Sequence, residues 1–200
     1  MFIFKWIRAL YDKVLSLSSH PKAAWWLAII SFAESSFFPI PPDVLLLPVC
    51  LANRKRALFL AGVCTVASIA GGLVGYMIGA YAFESIGQGI LDFYSAGEHY
   101  DKLQVWYSEY GSVMVFIAGL TPIPYKVITI SSGVFQYPLV PFLVMSLGSR
   151  GLRFGIEALI IMKFGEPAMS FIDKHFNKLT ILGGILLVGG FLAVKLLLQH

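Results

Sequence analysis

The chain has 200 residues, 58% of them hydrophobic and only 13% charged, with a mean hydropathy of +0.77. A soluble domain averages about 25% charged residues, so this composition belongs in lipid and excludes a soluble enzyme. The net charge of +4 does not signal a nucleic-acid binder, because the 15 Lys and Arg are spread over loop ends and apolar stretches without forming a basic face. Their expected external partner is anionic membrane lipid. Cys50 and Cys64 both sit in apolar context with no C-x-x-C and no paired His spacing, so they read as small core residues, and no disulfide, metal or cofactor is indicated.

In chain order, residues 1–22 place Ile3, Ile7, Leu10, Val14 and Leu17 at helical spacing, with Lys5, Arg8, Asp12 and Ser16 on another face. That pattern predicts an amphipathic helix lying on the membrane and not a signal peptide. Residues 23–53 are apolar but interrupted by Glu34, Pro39, Pro41, Pro42 and Asp43. Proline removes backbone donors and disfavours helix in the residue before it, so such a turn at membrane depth has to lie inside protein or against water. The segment is expected to be a re-entrant hairpin. Residues 57–80 then carry no charge in 24 positions, about 36 Å of helix and enough to cross the hydrocarbon core.

The segment 81–110 is amphipathic and carries Glu84, Asp92, Glu98, Asp101 and Glu109 against Lys102 alone, a net charge of −4. Residues 1–22 are +3 and Arg54-Lys55-Arg56 follow the first hairpin, so the positive-inside rule puts both in the cytoplasm and 81–110 outside. Residues 111–137 form a second apolar stretch broken at Thr121-Pro122-Ile123-Pro124-Tyr125-Lys126. Pro39-Ile40-Pro41-Pro42-Asp43-Val44 matches Pro122-Ile123-Pro124-Tyr125-Lys126-Val127 at an offset of 83, with an acid where the second copy has a base. Two such breaks in corresponding places point to an inverted repeat, with Pro41 and Pro124 expected at the tips of buried, non-helical turns. Crossings are expected over 139–163 and 179–198, which leaves the C-terminus outside. The predicted fold is therefore an all-α polytopic membrane protein with two oppositely facing re-entrant hairpins, about three crossing helices and amphipathic surface helices.

Six ionisable residues fall at membrane depth: Glu34, Asp43 and Glu157 against Lys126, Arg150 and Arg153, summing to zero. Each costs about 2.5–3.5 kcal/mol at a helix centre, so they are expected to face one another or a wet cavity. Arg150, Arg153 and Glu157 share one helix face at i, i+3 and i+7. Arginine binds phosphate through a planar fork of donors and Lys126 adds a point charge, which makes Lys126, Arg150 and Arg153 candidate substrate-binding residues. Glu34 and Asp43 are the candidate carriers of a coupling proton or sodium ion, and Glu157 is a charge partner. Gly71, Gly75 and Gly79 form a small-residue stripe that is expected to seat the hairpins.

These residues resemble the DedA family of bacterial membrane proteins, within the VTT-domain superfamily, and most of all its short YqaA-type branch. The resemblance is carried by Glu34 followed by Phe38-Pro39-Ile40-Pro41-Pro42-Asp43, by Gly71 to Gly79, by Gly119 to Lys126, and by Ser149-Arg150-Gly151-Leu152-Arg153-Phe154, over roughly 20–165. It implies two re-entrant hairpins facing each other and translocation of a lipid, undecaprenyl phosphate or phospholipid, coupled to protons or sodium in the bacterial inner membrane. On the same basis Glu34 and Asp43 are membrane acids and Lys126 is the base of the second hairpin. Many members carry an arginine about six residues before that base, where this chain has Leu120; Arg150 and Arg153 are expected to compensate.

The expected function is non-enzymatic translocation of a lipid phosphate. A membrane phosphatase is the first alternative, since Gly148-Ser149-Arg150-Gly151 has the look of a phosphate loop, but no histidine is placed to act as nucleophile or acid. A small cation or drug/proton exchanger would depend on Glu34 and Asp43 but not on Arg150. A purely structural membrane partner would tolerate neutralising any of the six charges.

Overall fold

A computed structural model of the protein describes residues 16–38, 40–87, 97–121, 124–165 and 167. Most of the expected surface helix over 1–22, the crossing over 179–198 and the turn residues Pro39 and Pro122 lie outside the described residues. Among the described residues the regular structure is helical: α1 (Ala23–Ser36), α2 (Asp43–Ala52), α3 (Ala57–Ala82), α4 (Gly97–Leu120), α5 (Tyr125–Val134) and α6 (Leu139–Phe164). A 3-10 turn over Arg54–Arg56 leads into α3, and a π turn over Phe83–Gly87 extends it. Two helices, Arg54–Ser85 and Leu139–Phe164, are long and apolar enough to cross a membrane, at the places expected for the first two crossings. Both leave large apolar side chains exposed, among them Phe59, Val66 and Tyr81 on one and Val140, Leu147 and Leu159 on the other. Such surfaces suit lipid contact.

The helices break where proline forces them to. The last donors of α1, the Phe37 and Phe38 amides, both reach the Ala33 carbonyl at 2.8 Å, and Pro42, with φ −65°, opens α2. Pro124 likewise opens α5 with φ −59°. Pro41 and Pro124 are exposed on the chain's own surface, which corrects the expectation of buried tips; Pro42 is the proline that packs inside. A further correction concerns 81–110 and 111–137, because α4 runs unbroken across the 110/111 boundary. A lone glycine costs a helix only about 1 kcal/mol, and the bare backbone at Gly111 lets the Tyr137 ring lie against it.

Cross-helix contacts fix the directions. The Ser31 hydroxyl donates to the Cys64 carbonyl at 2.8 Å, Ser35 and Ser68 hydroxyls meet at 2.7 Å, and Ser36 donates to Gly71 at 2.8 Å, so α1 and α3 run parallel. The start of α1 therefore lies at the same end as the start of α3, while its broken end lies beside Gly71 to Gly75, near the middle of this 26-residue helix. Phe116 lies at Gly148, Gly119 at Ser149, and Arg153 reaches the Thr121 carbonyl, which makes α4 parallel to α6. Thr65 beside Gly151 and Ser68 bonded to Arg150 make α3 antiparallel to α6.

The halves repeat each other in length as well as direction. Helices α2 and α5 have 10 residues each, and α3 and α6 have 26 each. Helix α5 starts 82 residues after α2 (125 against 43), and α6 starts 82 after α3 (139 against 57), within one residue of the offset between the proline motifs. Each half is an arm helix, a proline break, a short return helix and a long helix. The two run in opposite directions.

Helix α3 is the common seat. A Cβ at Gly71 would collide with the Phe32 carbonyl of α1, one at Gly79 with the Ile130 carbonyl of α5, and one at Gly133 with the Tyr76 carbonyl of α3. Backbone meets backbone at these points, as small residues allow in membrane bundles. Gly71→Ala and Gly79→Ala are each expected to cost about 1–3 kcal/mol of stability, whereas Gly62→Ala, with nothing within 4 Å, should stay within about 0.5 kcal/mol of the parent. Thermal unfolding in detergent compares the three; equal losses would contradict the packing.

Candidate functional site

The arm of each hairpin ends where the other half can reach it. Helix α1 leaves C-terminal carbonyls unpaired at its break, and α5 supplies donors: Thr129 gives its hydroxyl to the Ser35 carbonyl at 3.1 Å and the Lys126 ammonium bonds the Phe38 carbonyl at 3.0 Å. The end of α4 is met by α6, with Arg153 Nη1 donating to the Thr121 carbonyl at 2.7 Å.

Arg150 occupies the core. It is the twelfth residue of α6, and it meets Ser68, the twelfth of α3, through Nε at 2.7 Å. Its Nη2 donates to Glu34 Oε2 at 2.7 Å, with the Ser35 hydroxyl at 3.5 Å. The guanidinium lies between two rings, 4.7 Å from the centroid of Tyr125 and 4.8 Å from that of Phe154. Tyr125 is in turn held by its hydroxyl bond to Ser146. With side-chain exposures of 3% and 10%, Arg150 and Glu34 form a buried ion pair.

Arg153 stands one turn further along α6. It grips Asp43 with both ends of its fork, Nη2 to Oδ2 at 2.6 Å and Nε to Oδ1 at 3.4 Å, and Nε also lies 3.6 Å from Glu157 Oε1. Asp43 is the first residue of α2, where a carboxylate suits the positive end of the helix. One guanidinium thus serves two carboxylates, and Glu157 Oε2 is buried with no hydrogen-bond partner. Lys126 has no carboxylate within 4 Å among the described residues.

All six charged residues singled out in the sequence fall at the junction between the two breaks. Five of them pair directly, and the sixth, Lys126, reaches a carbonyl of the opposite break. Leu120 stands where the family resemblance leads one to expect an arginine, and Arg153 brings a guanidinium to the adjacent Thr121 carbonyl. The sequence did not single out Ser68, Ser35, Tyr125 or Phe154, which hold Arg150. Ser68 precedes Arg150 by 82 residues, the spacing between the starts of the long helices, whereas the offset of 83 between the proline motifs points to the neighbouring Ala67. Gly148 to Gly151 lie within continuous α6, with Ser149 donating back to the Met145 carbonyl at 2.7 Å, so this segment is not a phosphate loop of free amides. No group of three or more His, Cys, Asp or Glu among the described residues is placed to hold a metal ion.

Two antiparallel copies of a broken-helix unit, apolar outside and charged at their junction, define a helical membrane protein of the repeat-built kind. The VTT domain matches residues 37–163, and the chain belongs to that family, which includes the DedA proteins. A protein of Haemophilus influenzae described as an uncharacterized protein is 37% identical over 188 residues, covering 94% of this chain and 96% of its own length. One of Histophilus somni, described as an uncharacterized protein HI0703 homolog, is 42% identical over 145 residues, covering 72% and 75%. No solved structure matches the chain.

Removing one member of a buried pair strands the other. Arg150→Met is expected to lower stability by about 3–5 kcal/mol, and adding Glu34→Leu should restore much of it. Unfolding of the two variants in detergent tests this; a double variant less stable than Arg150→Met would mean that the two side chains are not partners.

Proposed function

We propose that the protein moves a lipid with a phosphate headgroup, undecaprenyl phosphate or a phospholipid, across the bacterial inner membrane, and that it is not an enzyme. The observation that carries this reading is the uneven pairing at the junction. Arg150 and Arg153 are neutralised by carboxylates, whereas Lys126 rests on a backbone carbonyl where the two breaks adjoin. A cation held in that way at membrane depth favours an anion, and the exposed apolar faces of α3 and α6 favour one attached to a lipid tail. The helical course of Gly148 to Gly151 argues against the phosphatase alternative.

The two units re-enter the membrane from opposite sides in this reading. Arg54 reaches the C-terminal end of α6, where Gly165 has φ +59° and a side chain would collide with the guanidinium, so Arg54, Lys55, Arg56 and Lys163 gather at one end of the bundle. Glu84 and the acidic start of α4 belong to the other end. The positive-inside rule makes the first end cytoplasmic. Protons or sodium ions, taken up by Glu34 or Asp43, are the proposed coupling partners.

In proteoliposomes, Lys126→Ala is expected to lower translocation of a polyprenyl phosphate or an anionic phospholipid by about tenfold or more, and Lys126→Arg to retain most of it. Transport that is indifferent to Lys126→Ala would sink the assignment. For the orientation, a cysteine replacing Glu109 should react with an impermeant reagent in intact cells and one replacing Lys55 should not; the reverse pattern would invert the topology.

A further inference from the structure

We propose that Glu34 is the resident anion of Arg150 and gives up that place, taking a proton as it leaves, when a phosphate ester binds to the guanidinium. The inference rests on the phosphate-handling reading above and adds which group yields. Its basis is that Arg150 is held independently of Glu34. Two ring faces, from Tyr125 and Phe154, and the Ser68 hydroxyl fix the guanidinium plane, so it stays in position when the carboxylate departs. Glu34, in contrast, sits in the last turn of α1, next to the proline break, and is held through Oε2 alone, by Arg150 at 2.7 Å and by the neighbouring Ser35 hydroxyl at 3.3 Å.

Carboxylate and phosphate present the same planar pair of acceptor oxygens to an arginine fork, so they compete for it. A departing Glu34 that stayed ionised would be a buried charge without a partner, which is costly. Protonation removes that cost. The carboxylate becomes a neutral acid with a proton from water, the phosphate supplies the negative charge that the guanidinium loses, and the net charge of the junction is unchanged. The groups facing Glu34 are Arg150 and Arg153 from α6, Tyr125 from α5 and the Ser35 hydroxyl of its own helix; the uncharged Ser68 of α3 bonds Ser35 and Arg150, and Asp43 of α2 is tied to Arg153. Lys126 stands at the Phe38 carbonyl, four residues beyond Glu34 in the chain, and follows Tyr125, whose ring lies against Arg150. Exchange thus couples uptake of one proton to binding of one phosphate, in the same direction.

The test measures binding of dihexanoyl phosphatidylglycerol, and separately of inorganic phosphate, to the purified full-length protein in a non-ionic detergent. The phosphodiester keeps its single charge between about pH 5 and pH 8, so any pH dependence belongs to the protein. At about pH 8 the Glu34→Gln variant is expected to bind the diester about tenfold or more tighter than the parent, because its arginine is no longer occupied by an anion. The parent should tighten as the pH falls, Glu34→Gln should not, and Arg150→Lys should bind weakly throughout. Glu34→Gln binding no tighter than the parent overturns the exchange. If that variant does not fold, the parent decides alone: affinity that fails to rise as the pH falls overturns it equally. Inorganic phosphate binding as tightly as the diester, with the same response to Glu34→Gln, would uphold the exchange and overturn the lipid reading. Absence of binding to either probe would overturn both.

Discussion

A helix that stops inside an apolar layer leaves carbonyls that water cannot reach, and the protein has to supply their donors itself. Much of the junction follows from that constraint. Ser35, Phe38 and Thr121 end the two arms, and their carbonyls are taken by Thr129, Lys126 and Arg153. Two of the three donors are charged, so the residues that look functional are also the ones that make the breaks tenable. Neutralising Lys126 or Arg153 therefore removes a charge and a backbone donor together. Lys126→Gln and Arg153→Gln, which keep an N–H donor without the charge, separate the two roles.

Apolar side chains cannot drive these helices together, since lipid is as apolar as leucine, and the packing uses two substitutes. One is backbone contact at Gly71, Gly79 and Gly133. The other is a set of buried hydroxyls. Ser31, Ser35, Ser36 and Ser68 stitch α1 to α3, and Tyr107, reaching Ser132 at 2.8 Å, ties α4 to α5. Tyr76 and Tyr100 add bonds to the Tyr137 and Val134 carbonyls at the end of α5. The return helix of the second hairpin is thus fixed along its whole length.

Features with a local cause were legible before the structure. Proline dictated both breaks, the uncharged run over 57–80 dictated a crossing, and the glycine stripe announced its close contacts because small side chains have few other uses at that spacing. The repeat showed in six residues and proved to extend over the short and long helices. Partner choice was not legible. A net charge of zero among six residues is compatible with three equal pairs, and the structure has instead one pair, one guanidinium between two acids and one lysine on a carbonyl. That partition depends on where helices distant in sequence cross. The unbroken α4 was missed for another reason: a change in surface polarity near residue 110 is a change of environment, and the backbone does not register it.

The offset of 82 residues sets Ser68, Gly71 and Gly75 of α3 against Arg150, Arg153 and Glu157 of α6, so equivalent faces of the two long helices have opposite chemistry. On α3 that face is bare, and α1 and α5 come down onto its backbone. On α6 it carries long charged side chains, and α2 is tied to it through the Asp43 carboxylate. Glycine contacts have no slack, since shifting them by a fraction of an ångström creates a gap or a clash. A guanidinium on a flexible stem can release one carboxylate and take another acceptor without moving the backbone. A rearrangement that preserves the glycine seat must therefore run through α2 and the first break, where Glu34 and Asp43 stand at either side of the prolines, and not through α5. The asymmetry of charge thus leaves α1 and α5 seated on the glycines and makes α2, tied to α6 through the Asp43 carboxylate, the element able to respond.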